Sequence, residues 1–322
     1  MKKKILITYC IPEEGLHELR KHFEVYYPNK LNIPLDELSD IIGDYDGVMA
    51  VFGNSFPEEI LKKAKKLKII SNYGAGVDNI PVELATRMSI LVTNTPDAVT
   101  ESTAEHAIAL MMALMRRIPE CDRKLRVGDI RWGVMENLGR NLFGKTLGIL
   151  GLGKIGKATA KRAISLGMKV IYYSRRRLDT LEENNLQVQH VSLDELYVQS
   201  DILSLHTPLT AETHHLVDEK AIRLMKKTAV LVNTARGAVI DEKAMINALK
   251  QGRISGAALD VFEYEPSVPK ELLQMENVVL APHTGTATME TRIEIARIAS
   301  KNIIDFFLTG KTEYPVNPEV LE

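Results

Sequence analysis

The sequence predicts an α/β protein of two domains, each built on a doubly wound parallel sheet, with a cleft between them. Three observations predict it. Short apolar runs alternate with helical stretches down to about residue 94, and a second such series covers residues 146–281. A long helical stretch at about 101–117, apolar nearly all round and so expected to be buried, separates the two series. Finally, Gly151-Leu152-Gly153-Lys154-Ile155-Gly156 follows a strand and opens a helix. At 322 residues the chain is long for one core and suits two.

In chain order, residues 4–9 read as a strand and 12–22 as a helix with Pro12 near its first turn. Residues 23–27 are strand-like, 35–42 helical, 47–52 a strand and 57–66 a helix, and 67–72 and 90–94 complete the first series as strands. Lys62, Lys63, Lys65, Lys66 and Lys68 crowd one stretch; with no aromatic residues interleaved they read as a solvated helix face, not a nucleic-acid surface. Strands of the second series fall at 146–150, 169–173, 201–206, 229–233, 255–259 and 277–281, and a last helix at 287–308.

Composition narrows the partners. Lysine plus arginine total 41 against 42 acidic residues, a formal charge of −1, so no global field draws nucleic acid or an anionic membrane. Cys10 and Cys121 match no metal spacing and no disulfide framework, which predicts a reducing, cytoplasmic setting and no metal. The apolar run after Lys2-Lys3-Lys4 is cut by Pro12-Glu13-Glu14. The longest later run, 107–115, falls short of the about 20 residues a spanning helix needs, so neither export nor membrane insertion is expected.

The glycines at 151–156 have separate tasks. Gly151 allows a tight turn, Gly153 lets backbone approach a pyrophosphate, and Gly156 lets helix and strand pack closely; free amides at Lys154 and Ile155 and the helix dipole then hold the phosphates. An NAD site places an acid at the end of the second strand for the ribose 2′-hydroxyl. Here that strand ends in Ser174-Arg175-Arg176-Arg177. Arginines pair with a 2′-phosphate that an acid would repel, so NADPH is the expected cofactor, through Ser174, Arg175 and Arg176, with NADH a possible second.

In such folds chemistry sits beyond the carboxyl ends of the strands. Thr207-Pro208 follow one strand, Thr234-Ala235-Arg236-Gly237 the next, the run from Asp260 through Glu265 the third and Pro282-His283 the fourth. Hydride reduction of a 2-oxo acid needs a cation to hold the carboxylate, an acid to protonate the oxygen and a carboxylate to orient that acid. Arg236, His283 and Glu265 match those roles.

With these residues in hand, the chain resembles the D-isomer-specific 2-hydroxyacid dehydrogenase family nearly end to end. The shared motifs are Gly74-Ala75-Gly76-Val77-Asp78, Asn94-Thr95-Pro96, Thr103-Ala104-Glu105, the glycine turn, Asn233-Thr234-Ala235-Arg236-Gly237, Leu259-Asp260-Val261-Phe262-Glu263-Tyr264-Glu265-Pro266 and Pro282-His283. The resemblance implies a flavodoxin-like substrate domain of residues 1–98 plus 287–322. It implies an inserted NAD(P)-binding Rossmann domain at 99–286 carrying a dimerisation helix and arm, and hence a homodimer. It implies catalytic roles for Arg236, Glu265 and His283, and substrate contacts from Ala75 and Gly76 as well as from Arg236 and His283. Cofactor contacts are implied at Thr103 beside Val99, at Thr207, Pro208 and Thr213 near the adenosine, at Thr234, and at Asp260 beside the carboxamide. Asn54 either meets a substrate hydroxyl or caps the helix near Pro57.

Within the family the chain looks most like glyoxylate/hydroxypyruvate reductases and 2-ketogluconate reductases. The tryptophan- and proline-rich arm of some glyoxylate reductases has a poor match in Arg131-Trp132-Gly133-Val134-Met135-Glu136-Asn137, which points away from glyoxylate as the preferred substrate. Two rival readings remain: a non-catalytic NAD(P)-sensing protein of corepressor type, and an NAD-dependent enzyme of the D-3-phosphoglycerate dehydrogenase type.

Overall fold

Every named strand of the protein pairs in parallel. The computed structural model describes residues 2–51 and 56–322, so Asn54 lies outside the described residues. By internal packing the chain divides into one unit of residues 1–99 and 287–322 and another of residues 100–286.

In the first unit, β1 (Lys4–Ile7), β2 (Glu24–Tyr26), β3 (Gly47–Val51), β4 (Ile69–Tyr73) and β5 (Leu91–Thr93) form one sheet in the order β2-β1-β3-β4-β5. β3 and β4 are buried at every residue, as strands covered on both faces should be, although β4 carries Ser71 and Asn72. Leu6, Val48, Ala50, Ile70 and Val92 pack on one face with Leu38, Ile42, Ile60 and Leu61. The returning helix Met289–Thr309 is tied to the sheet: Ser71 Oγ donates to the Ala299 carbonyl at 2.9 Å, and Tyr73 Oη to that of Arg292 at 2.5 Å. One helix is expected at 12–22, but a 3-10 turn, Glu13–Leu16, precedes the α-helix His17–His22. Gly15 in that turn presses on the returning helix, where a Cβ would stand 2.3 Å from Ala296 Cβ.

The second unit carries β6 (Thr146–Leu150), β7 (Lys169–Tyr173), β8 (Val188–His190), β9 (Ile202–Leu205), β10 (Val230–Asn233), β11 (Gly256–Leu259) and β12 (Val278–Leu280) in the order β12-β11-β10-β9-β6-β7-β8. Side chains alternate between two cores: Val230 and Val232 join Ile149 and Tyr172 on one face, while Leu231 joins Leu203 and Leu259 on the other. The buried helix Thr100–Met115 packs Ile108, Leu110, Met111 and Met115 into the first of these. β8 has no counterpart among the expected strands, because its Val188-Gln189-His190 carries a single apolar residue. Strand order reverses between β6 and β9, and ligands of open α/β sheets bind at the carboxyl edge there. Among the described residues no helix is long and apolar enough to cross a membrane.

Candidate active site and dinucleotide turn

At the carboxyl end of β6 the chain turns at Gly151, whose φ of +95° suits glycine. A Cβ there would lie 2.9 Å from the backbone of His206 and Thr207, which follow β9. At Gly156 a Cβ would stand 2.4 Å from the Gly151 carbonyl oxygen, so the helix Lys154–Ser165 reaches the strand only because this residue lacks one. At Gly153 a Cβ would meet nothing within 4 Å. Gly153 is also the helix N-cap and offers no side-chain cap, so the first amides, beginning at Lys154 and Ile155, are not capped by a side chain of their own turn. An open backbone face at an uncapped twelve-residue helix fits a pyrophosphate.

Ser174, just past β7, accepts the Leu152 N–H at 2.7 Å and so joins the two strand ends. The three arginines after it separate. Arg177 pairs with Glu183 at 2.8 Å, and Glu183 also accepts from Tyr172 at 2.7 Å; these partners hold the Glu183 carboxyl down at about 2. Arg175 and Arg176 are exposed and make no ion pair among the described residues. Past β9, Thr213 is buried and its hydroxyl works inside the loop, donating to the Pro208 carbonyl at 2.6 Å and accepting the Thr210 N–H at 2.7 Å. Thr207 lies at the start of this loop, against Gly151. Past β10, Thr234 Oγ1 is buried with no hydrogen-bond partner among the described residues, a group for a ligand to satisfy.

β10, β11 and β12 are neighbours with their ends in register, Asn233 opposite Leu259 and Leu259 opposite Leu280. Arg236, Glu265 and His283 therefore leave the same edge of one sheet. Asn233 shapes the Arg236 turn: its side chain donates to the Arg236 carbonyl at 2.9 Å and accepts the Ala235 N–H at 3.0 Å. Arg236 Nη1 donates to the Ala235 carbonyl at 2.7 Å. Gly237 lets this turn press against the segment after β11, since a Cβ there would be 1.9 Å from the Phe262 carbonyl carbon.

Glu265 Oε2 lies 2.8 Å from His283 Nδ1, and Glu265 Oε1 accepts the Phe262 N–H at 2.9 Å. The carboxylate is thus fixed at one oxygen and holds the imidazole with the other. His283 has φ +53°, a conformation non-glycine residues seldom adopt, and its amide donates to the Asp260 carbonyl at 2.8 Å. Asp260 is 1% exposed. Its carboxylate accepts the Thr284 N–H at 2.7 Å and the Gly285 N–H at 2.8 Å, with His106 Nε2 at 3.1 Å. Burial pushes the Asp260 carboxyl up, but the His106 imidazole and the two amides outweigh it and hold the group below the usual range. Asp260 therefore anchors the loop that carries His283. Thr103 is buried beside Gly285, where a Cβ would stand 3.6 Å from it. His106 escapes the reading of the sequence, and Asn233 stands there within a motif but is given no role. Asn233 ends a strand rather than following one, and His106 lies within a buried helix.

In the first unit, a second turn follows β4. Thr95 N donates to the Gly74 carbonyl at 3.0 Å, Asn94 Nδ2 to that of Ala75 at 2.7 Å and Asn72 Nδ2 to that of Gly76 at 2.6 Å. Three successive carbonyls are drawn back by neighbours.

The family described as "D-isomer specific 2-hydroxyacid dehydrogenase, NAD binding domain" matches residues 108–285, more than half of the chain. A glyoxylate reductase of Thermococcus gammatolerans is 44% identical over 328 residues, covering 100% of this chain and 98% of its own. A solved protein of Thermus thermophilus superposes with a TM-score of 0.90 at 38% identity, over 97% of this chain and 99% of that one. A solved NADPH-dependent glyoxylate/hydroxypyruvate reductase of Sinorhizobium meliloti, in complex with NADP and malonate, gives 0.88 at 32% identity, over 98% and 97%. The phosphate turn, the carboxylate–imidazole pair on one sheet edge and these end-to-end matches make the chain a member of the D-isomer-specific 2-hydroxyacid dehydrogenase family of NAD(P)-dependent oxidoreductases.

Proposed function

We propose that this protein reduces small 2-oxo acids of the glyoxylate and hydroxypyruvate class to D-2-hydroxy acids with NADPH, and that His283 is the general acid. The observation that carries the reading is the 2.8 Å pair between His283 Nδ1 and Glu265 Oε2 on the sheet edge that also bears the dinucleotide turn. Full-length relatives named glyoxylate reductase favour that substrate class. The arm sequence points elsewhere, but it is a few residues against a match of the whole chain, and we follow the match.

The residues divide the work. The 151–156 turn would hold the pyrophosphate of the dinucleotide, and the bound cofactor would supply the hydride from its nicotinamide. Arg236 pairs bidentately with the substrate carboxylate and polarises the 2-oxo group. In the first unit, Ala75 and Gly76, whose carbonyls are drawn back by Asn94 and Asn72, are proposed as substrate contacts. His283, held through Nδ1, gives a proton from Nε2 to the oxygen that gains charge, and Glu265 keeps the ring oriented and steadies its positive form. Ser174, Arg175 and Arg176 receive the 2′-phosphate; support comes from the exposure of the two arginines, the missing acid and the NADP bound by the Sinorhizobium relative. Trp132, Val134, Met135 and Phe143 are each more than three-quarters exposed, an apolar arm that supports a homodimer.

His283→Ala should lower turnover by about 10²- to 10⁴-fold while NADPH still binds. Stopped-flow reduction of glyoxylate and hydroxypyruvate, with NADPH affinity from fluorescence, checks this; wild-type turnover would remove His283 from the role. Arg175→Ala should erode the preference for NADPH over NADH, measured as the ratio of kcat/KM for the two. An unchanged ratio would remove Arg175 from the phosphate site.

A further inference from the structure

Outside the candidate active site, the second unit gathers two imidazoles and a carboxylate from distant parts of the chain. One ligand atom from each of His214, His215 and Glu263 lies within 4.8 Å of the others. His215 Nε2 is 2.9 Å from Glu263 Oε1, and the His214 and His215 rings stack with centroids 4.0 Å apart at 28°. The backbone is held for this. His215 takes φ +52°, and the amides of His214 and His215 donate to the carbonyls of Thr210 and Ala238 at 2.9 and 2.8 Å. Glu263 Oε2 accepts the Glu242 N–H at 3.3 Å, which leaves Oε1 turned to the imidazoles. The His215–Glu263 pair is complete without His214, yet His214 stands beside it, exposed and with no side-chain hydrogen bond among the described residues.

We propose that His214, His215 and Glu263 bind one divalent transition-metal ion of the zinc class. Two neutral imidazoles with a carboxylate suit zinc, cobalt or nickel, whereas calcium and magnesium call for all-oxygen shells. Bonds of about 2.0–2.2 Å around a tetrahedral ion set neighbouring ligand atoms about 3.3 Å apart, so closing the cluster needs only a small rotation of the exposed His214 ring. Three protein ligands leave a fourth position for water. The ion would staple the loop of residues 207–215 to the segment that carries Glu265. This goes beyond the proposed reduction and does not depend on it.

The test is zinc alone, titrated calorimetrically into chelator-treated full-length protein, with a parallel thermal melt. One zinc per chain is expected, with a raised melting temperature and no competition from magnesium or calcium. His214→Ala should weaken binding by about tenfold or more and abolish the thermal shift, while zinc-free turnover stays at the wild-type level and shows the fold intact. Glu263→Gln should weaken binding likewise. No saturable zinc binding would overturn the proposal. So would binding that survives His214→Ala but is lost in His283→Ala, because the ion would then sit on the His283–Glu265 pair.

Discussion

Two turns in this protein each follow a parallel strand, and they are built in different ways. After β6, the geometry comes from missing atoms: Gly151 takes a positive φ against the backbone of His206 and Thr207, and Gly156 lets a helix touch the strand. After β4, Gly74 also takes a positive φ, +148°, but no backbone presses on it, and side chains draw the next carbonyls away, Asn94 on Ala75 and Asn72 on Gly76. The first is a steric device and the second a hydrogen-bonded one. A steric turn tolerates no added atom, since backbone cannot yield cheaply. A hydrogen-bonded turn loosens by degrees as each bond is removed.

That contrast can be broken experimentally. The largest effect should come from Gly156→Val, which forces side-chain atoms onto the Gly151 carbonyl. Overpacking of this kind costs about 1–3 kcal/mol, and NADPH affinity should fall by orders of magnitude as helix and strand part. A fluorescence titration with a thermal melt checks both, and near-normal NADPH binding would refute the steric account.

The support beneath that turn should also respond to pH. Burial pushes the His206 imidazole, 2.9 Å from Ser204 Oγ, down to about 4 from an ordinary 6.5. The residue keeps a partly exposed edge, but its ring is desolvated. The folded state therefore favours the neutral ring. Its contribution is fully present above pH 6.5 and is lost as pH falls towards 4, to a total of about 3 kcal/mol. Denaturant midpoints between pH 7 and 4 should drop less in His206→Gln than in the wild type, and equal slopes would remove His206 as the cause.

The smallest effect belongs to the hydrogen-bonded turn. Asn94→Ala leaves the Ala75 carbonyl without its partner, at a cost of about 1–2 kcal/mol. KM for the 2-oxo acid should rise up to about tenfold with NADPH affinity unchanged. A shift confined to NADPH would show that the two turns do not divide substrate and cofactor as proposed.

Local chemistry made much of this readable. Eleven of the twelve named strands follow from short runs set between helices, and β8 alone escapes. The glycine turn is visible because its three glycines fall within six consecutive residues. The arginine run shows why reading stops: Arg175, Arg176 and Arg177 are alike as letters and all exposed, and only the tertiary fold gives Arg177 its ion-pair partner Glu183. Thr213 likewise looks available in the sequence but ties its own loop.

Residue order by itself determined which side chains stand at strand ends, because the alternation of strand and helix is a local property of a few residues and their neighbours. It could not determine that Glu265 splits its oxygens between the His283 imidazole and the Phe262 amide, that Asp260 is buried under the loop it anchors, or that His215 meets Glu263 from 48 positions away. Those pairings depend on loop paths set by packing and by carbonyls and amides seeking partners across the sheet edge, so only the tertiary structure decided them.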